Sequence, residues 1–136
     1  MDRKAKGTYA ERELIHFLWE RGWFSIRAAG SGSTKYPSPD LVAGNGLRRL
    51  AIECKSSADN KRYLTKPQIE ELALFAKKFN AEPWIAFRHN AVWHFISVED
   101  LKDTGNSFFI SEELARIRGL SIDEIAGSKL QEQATD

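Results

Sequence analysis

The stretch that most constrains the fold runs from Pro39 to Lys55, reading Pro-Asp-Leu-Val-Ala-Gly-Asn-Gly-Leu-Arg-Arg-Leu-Ala-Ile-Glu-Cys-Lys. Asn45-Gly46 at its centre is the strongest short-range signal for a β-hairpin. The segments 40–43 and 50–55 flank it and read as two paired strands. Folding them back brings Asp40 to within about two residues of Glu53, under ~7 Å at the rise of an extended chain. Side chains alternate along a strand, so Leu50, Ile52 and Cys54 take one face and Ala51, Glu53 and Lys55 the other. The apolar set is expected to point inward. Glu53 and Lys55 then stand together beside Asp40, which makes a candidate divalent-metal site with a lysine next to it.

The length of 136 residues fits one domain, residues 1–136, and the supply of Trp and Phe allows a packed core. A single cysteine excludes an intramolecular disulfide framework and a multi-cysteine zinc site. With no signal-peptide pattern and no long apolar run, the expectation is a soluble cytoplasmic chain with no membrane partner. The net charge of +1 hides an asymmetry: residues 1–66 carry thirteen Lys/Arg against seven Asp/Glu, and residues 67–136 carry seven against twelve. A basic half that also holds the acidic cluster suits a polyanionic substrate. Moderate asymmetry also arises by chance on solvated surfaces, so charge alone does not single out nucleic acid.

Residues 1–6 read as a short, basic, flexible arm. A helix is expected from Tyr9 to Arg21, with Thr8 as N-cap, Gly22 as the stop, and Leu14, Ile15, Leu18 and Trp19 as its apolar stripe. Glu11 shares the buried side of that helix and therefore needs a partner. Residues 23–29 read as a strand, with Phe24, Ile26 and Ala28 on one face and Trp23, Ser25 and Arg27 on the other. A Gly/Ser loop follows over 30–39, in which Lys35 attracts phosphate, and it delivers the chain to Asp40. After the hairpin comes a polar link over 56–63. A second helix starts at Thr65 with the capping-box spacing Thr65–Gln68, has Ile69, Leu72, Ala76 and Phe79 as its stripe, and ends near Asn80. A second hairpin spans 83–96 and turns at His89-Asn90. Ser97 is expected to cap a single turn, Phe108-Phe109-Ile110 to form a short edge strand, and Ser111 and Ser121 to cap two short helices. Residues 129–136 read as a frayed tail. The order helix, strand, hairpin, helix, hairpin predicts an α/β domain, a central mixed β-sheet flanked by helices.

Magnesium takes hard oxygen ligands, often one or two carboxylates with water and substrate phosphate making up the rest. Asp40 and Glu53 supply this, and Lys55 beside them suits polarising a water or neutralising phosphate oxygen. Glu11 and Ser31 are placed to extend the site. Plainer readings stand beside these. Asp40 after Pro39 also reads as a turn residue, Glu53–Lys55 as a surface ion pair, and Glu11 as the acid of a capping box three residues after Thr8. Gln68 has the same capping ambiguity, Arg12 is by default a solvated helix charge, and Cys54 is a core residue. The three histidines have no cysteine or serine partner at suggestive spacing and read as structural or surface groups. Trp84, Phe87, Trp93 and Phe95 are first of all core, although an outward set suits a subunit interface.

Lys6-Gly7, Glu11-Arg12, Arg27-x-x-Gly30-Ser31-Gly32, Pro39-Asp40 and Glu53-Cys54-Lys55 occur in this order. The pattern resembles the archaeal Holliday junction resolvases of the PD-(D/E)xK nuclease superfamily, with specific motifs from Lys6 to the end of the second helix and a looser likeness beyond. The resemblance implies a restriction-endonuclease-like core with Asp40, Glu53 and Lys55 at its catalytic centre. It implies that Glu11 assists metal or water, that Ser31 lies close to the scissile phosphate, and that Gln68 supports the site. It also implies that the Cys54 backbone carbonyl serves as a further metal ligand, and that Arg3, Lys4, Lys6, Arg12 and Arg27 bind the junction. The implied activity is a Mg2+-dependent endonuclease, with Mn2+ able to substitute. The implied assembly is a homodimer that nicks opposed strands of four-way junction DNA in recombination and repair and leaves 5′-phosphate and 3′-hydroxyl ends. Two other functions stay open at this level: a repair or restriction-type nuclease of the same superfamily, and a non-catalytic nucleic-acid-binding subunit. Partners such as a sliding clamp are left open too.

Overall fold

The structure, a computed structural model, describes residues 3–28 and 36–127, and the backbone alone of residues 3–6. The elements run α1 (Arg3–Glu20), β1 (Phe24–Arg27), β2 (Leu41–Gly44), β3 (Arg49–Ser56), β4 (Lys61–Thr65), α2 (Lys66–Phe79), β5 (Glu82–His89) and β6 (Val92–Ser97). A 3-10 turn (Val98–Asp100), β7 (Lys102–Asp103), β8 (Ser107–Ser111), α3 (Glu112–Arg118) and α4 (Ile122–Ala126) complete it. Five strands form the main sheet in the order β1-β2-β3-β5-β6. All its pairs are antiparallel except β3 with β5, whose parallel pairing needs the long crossover that contains β4 and α2. A second sheet has the order β4-β8-β7.

Both faces of the main sheet are covered. On one face Ala10, Leu14 and Leu18 of α1 meet Leu41, Leu50, Ile52, Ala86, Trp93 and Phe95, with Ile125 and Ala126 of α4. On the other, Ile69, Leu72 and Ala76 of α2 meet Ala51, Ile85, Phe87 and Ile96, with Leu64 and Ile110 of the second sheet. The expected mixed sheet flanked by helices is present. One detail differs. The Ala51-Glu53-Lys55 face is not an outer face, because α2 and the second sheet cover it as α1 covers the Leu50-Ile52-Cys54 face.

The hairpin pairs Leu41 with Ile52 and Gly44 with Arg49. Its turn is a four-residue one. Asn45 donates its N–H to the Arg48 carbonyl, its side-chain oxygen accepts from the N–H groups of Leu47 and Arg48, and Gly46 takes φ +93°. The second hairpin turns one residue later than expected, at Asn90-Ala91, both with positive φ, which is the backbone of a two-residue primed turn. The capping box of Thr65 and Gln68, the stop at Asn80, and the caps Ser97, Ser111 and Ser121 are all found as expected.

Several expectations are corrected. Helix α1 starts at Arg3, so Thr8 lies inside it and is no N-cap, and Glu11 is no capping-box acid. Lys4, Ala5 and Lys6 are good helix formers and nothing before Thr8 stops the helix. The supposed arm is therefore helical over residues 3–6, while the side chains of Arg3, Lys4 and Lys6 lie outside the described residues, as do residues 1–2, 29–35 and 128–136, on which the expected Gly/Ser loop and frayed tail fall. The buried face of the β1 segment is Trp23 and Ser25, and the more apolar pair Phe24 and Ile26 is exposed. Trp19 and Phe79 drop out of their helix stripes and are also exposed. The polar link contains a strand, β4, of which only Leu64 is buried. Because β4 and β7 flank β8, the Phe108-Phe109-Ile110 segment is a central strand of the second sheet and not an edge. Among the described residues no helix is long and apolar enough to cross a membrane.

Candidate active site

Asp40 enters β2 one residue before Leu41, and the pairing of Leu41 with Ile52 sets it opposite Glu53. The chain on its other side is tied as well, since Ala28 donates its N–H to the Asp40 carbonyl at 2.8 Å. The Asp40 carboxylate is turned toward β3, where Oδ2 accepts the Cys54 N–H at 2.9 Å. In an extended strand the N–H and C=O of one residue point to the same edge, so the Cys54 carbonyl also faces the Asp40 side.

Glu53 and Lys55 are mostly buried, 18% and 13% exposed, and the Lys55 ammonium lies 3.6 Å from Glu53 Oε1. Burial pushes the Glu53 carboxyl up to about 8, helped by the negative charge of Asp40 and a hydrogen bond with it, while Lys55 opposes the rise. Two acids held this close cannot both ionise cheaply, and the pair retains a proton unless a cation replaces it. That donor set fits a hard divalent ion taking two carboxylate oxygens, one backbone oxygen and water. Among the described residues no group of three or more His, Cys, Asp or Glu side chains is placed to hold a metal. The residues present thus fit a divalent cation held by two carboxylates with water making up the rest.

Glu11 lies on α1, on the other face of the sheet, and among the described residues it does not join Asp40 and Glu53 in one metal-holding group. Its side chain forms an ion pair with Arg27 of β1, which is the partner that its half-buried position requires. Its charge is felt at the Cys54 thiol. That thiol is raised well above the ordinary cysteine range by burial first, then by Asp40, Glu11 and Glu53, so it stays protonated. Cys54 packs against the α1 side of the core, as expected. Arg12 is exposed on α1, whereas Arg27 is committed to Glu11. Gln68 caps α2, its side-chain oxygen accepting the Thr65 N–H at 3.0 Å. Ser31 and Lys35 lie outside the described residues.

The same end of the sheet carries a cluster that sequence reading missed. Arg88 of β5, in register with Ser56, donates to Glu13 of α1 at 3.0 Å, and Trp93 Nε1 donates to the same carboxylate at 2.7 Å. Burial raises Glu13, but these hydrogen bonds and the Arg88 charge outweigh it and hold the carboxyl below its usual range. Glu13 sits two positions from Glu11 in a charged helix, and no local pattern marks it. The histidines hold no catalytic constellation among the described residues: His16 pairs with Glu20 at the surface, His89 donates to the Ser57 carbonyl, and His94 Nδ1 is buried without a partner.

The family model described as archaeal Holliday junction resolvase (hjc) matches residues 2–134. The crossover junction endodeoxyribonuclease Hjc of Archaeoglobus fulgidus is 42% identical over 131 residues, covering 96% of each chain. That of Methanocaldococcus jannaschii is 35% identical over 133 residues, covering 96% of this chain and 94% of its own. The solved structure of Archaeoglobus fulgidus Hjc, titled a Holliday junction resolvase from an archaeal hyperthermophile, superposes with a TM-score of 0.83. It covers 89% of this chain and all of its own, at 42% identity. The mixed sheet and its flanking helices are thus the restriction-endonuclease-like fold, and the chain belongs to the archaeal Holliday junction resolvase family.

Proposed function

We propose that this chain is a crossover junction endodeoxyribonuclease that hydrolyses paired phosphodiesters of four-way DNA junctions in recombination and repair, using Mg2+, with Mn2+ able to substitute. The observation that carries the reading is the Asp40–Glu53 pair, two acids held in contact beside Lys55 at the end of β3. A pure binding subunit has no need of such a strained acid pair.

Asp40 and Glu53 would hold the cation, with the Cys54 carbonyl on the same side of β3. What a divalent ion supplies there when bound is charge neutralisation on the phosphate and a more acidic water. Lys55, two residues from Glu53 on the same face, orients the attacking water or compensates charge on the phosphate oxygens through Nζ. Glu11 stays ion-paired with Arg27 and anchors α1 beside the site. Water attacks the phosphorus in line while the P–O3′ bond breaks, and the 3′-oxygen takes up a proton from solvent as the water gives one up, leaving a 5′-phosphate and a 3′-hydroxyl. Exposed Arg12, the basic residues Arg3, Lys4 and Lys6, and Ser31 and Lys35 of the loop contact the junction. The two-fold symmetry of a four-way junction matches an isologous homodimer whose two sites cut opposed strands. Such an enzyme works inside the cell, at the chromosome.

The test compares Asp40→Ala and Glu53→Ala with the wild type on a four-way junction and on linear duplex of the same sequence. The expected result is loss of cleavage with junction binding retained. Cleavage by either variant at the wild-type rate sinks the site, and a preference of the wild type for linear duplex sinks the junction assignment in favour of another nuclease of the superfamily.

A further inference from the structure

The second sheet has an outer face that the catalytic site does not use. Its inner face, with Leu64, Phe108 and Ile110, closes the α2-side core. On the outer face Tyr63 of β4 stands opposite Phe109 of β8, and Phe109 opposite Lys102 of β7. Lys61 lies two residues from Tyr63 along β4 and so points the same way. The Tyr63 and Phe109 rings are 5.3 Å apart, and Tyr63 is 58% exposed. Lys61 and Lys102 are exposed and form no ion pair among the described residues. At the rim Lys66 pairs with Asp103 at 3.2 Å and lies over the Phe108 ring.

An aromatic pair of exposed Tyr63 and half-buried Phe109, flanked by lysines, is poor chemistry for a protein interface, whose centre is depleted of lysine. It is good chemistry for nucleic acid, because π-faces stack on bases of any sequence and lysines meet the phosphates beside them. The sheet also adjoins the catalytic end of β3. Ser57 Oγ donates to the Lys61 carbonyl at 3.1 Å, and Arg62 Nη1 donates to the Ser56 carbonyl at 2.6 Å. Two residues at strand rise plus that hydrogen bond put the start of β4 roughly 10 Å from Lys55.

We infer that the outer face of the second sheet is a DNA-contacting surface, on which Tyr63 and Phe109 receive an unstacked base at the branch point while Lys61 and Lys102 hold the flanking phosphates. This rests on the junction-nuclease reading and adds to it a source of preference for branched over linear DNA. A continuous duplex offers no free base face, so only the lysine contacts remain available to it.

The experiment measures equilibrium binding of the full chain to a labelled four-way junction and to linear duplex, in EDTA so that nothing is cut. Tyr63→Ala weakens junction binding about tenfold and leaves duplex binding within about twofold, while Tyr63→Phe binds as the wild type does. Lys61→Ala and Lys102→Ala weaken both substrates and each lowers the salt dependence by about one phosphate contact. The inference is overturned if Tyr63→Ala binds the junction like the wild type. It is equally overturned if Tyr63→Ala changes the oligomeric state, since the face then joins two copies. A wild type that binds junction and duplex alike removes the junction reading before any variant is made, and the inference with it.

Discussion

Replacing Glu53 by glutamine separates the stability of the fold from the chemistry of its site. Glu53 is pushed up to about 8 by burial and by Asp40. An unfolded chain releases the same proton near pH ~4.3. Below that pH Glu53 is protonated in both states and costs nothing. As pH rises the unfolded chain loses its proton while the folded chain keeps it, so stability falls until the folded side chain ionises at about 8. Each pH unit in that window costs ~1.4 kcal/mol, which sets an upper bound of ~4 kcal/mol at neutral pH. Relaxation around a side chain that is still 18% exposed brings the expected value nearer ~2 kcal/mol. Glutamine is always neutral, has nearly the same shape, and has an amide able to donate to Asp40. In EDTA at neutral pH, Glu53→Gln is therefore more stable than the wild type by ~2 kcal/mol, a rise in Tm of about 5–10 °C for a chain of this length. The assay is urea unfolding followed by circular dichroism at several pH values. The gap closes toward the pH at which unfolded glutamate is protonated. Magnesium stabilises the wild type by mass action and leaves the variant unchanged, and the variant does not cleave. A variant less stable than the wild type above neutral pH, or a gap that does not vary with pH, refutes the reasoning.

Two further substitutions test the frame around the site. Arg48 donates Nε and Nη2 to Glu82 at 2.8 and 2.9 Å and Nη1 to the Ile125 carbonyl at 2.9 Å, and its guanidinium lies 5.3 Å from the centre of the Trp23 ring. Arg48→Ala removes the ion-pair partner of Glu82, which keeps the Trp84 Nε1 donor and contact with water, and frees α4, which costs about 1–2 kcal/mol in urea unfolding while the cleavage rate of the folded fraction is kept. Thr65→Ala and Gln68→Ala each remove one half of the capping box of α2 and lower stability by about 1 kcal/mol. Cleavage rates measured at a temperature where both variants are folded fall no further for Gln68→Ala than for Thr65→Ala, because the Gln68 side-chain oxygen is already engaged by the Thr65 N–H.

The hairpin and the closeness of its two acids and lysine were legible in the sequence because they are local. Asn45-Gly46 sets which strands pair and alternation sets which residues share a face, which brings Asp40 within about two residues of Glu53, and the four-residue turn 45–48 then sets the two directly opposite. The caps of α2, α3 and α4 were legible for the same reason, since a side chain three residues away satisfies the free N–H groups. Strand β4 was not legible. Lys61, Arg62 and Tyr63 carry no inward alternation, and the strand exists because β8, far along the chain, pairs with it. The faces of β1 were misleading, since Trp23 and Ser25 are no more apolar than Phe24 and Ile26, and α1 decides which pair is covered.

What the sequence by itself determined is the acid pair, its lysine and the need of Glu11 for a partner. What only the tertiary structure decided is who those partners are and how costly the pair is. Arg27 meets Glu11, Arg88 and Trp93 meet Glu13, and Arg48 meets Glu82, each across elements that no spacing rule connects. The rise of the Glu53 proton affinity belongs to the same class. It depends on the covering of the β3 face by α2 and the second sheet, because desolvation is a property of everything packed around a charge and not of the residues beside it in the chain.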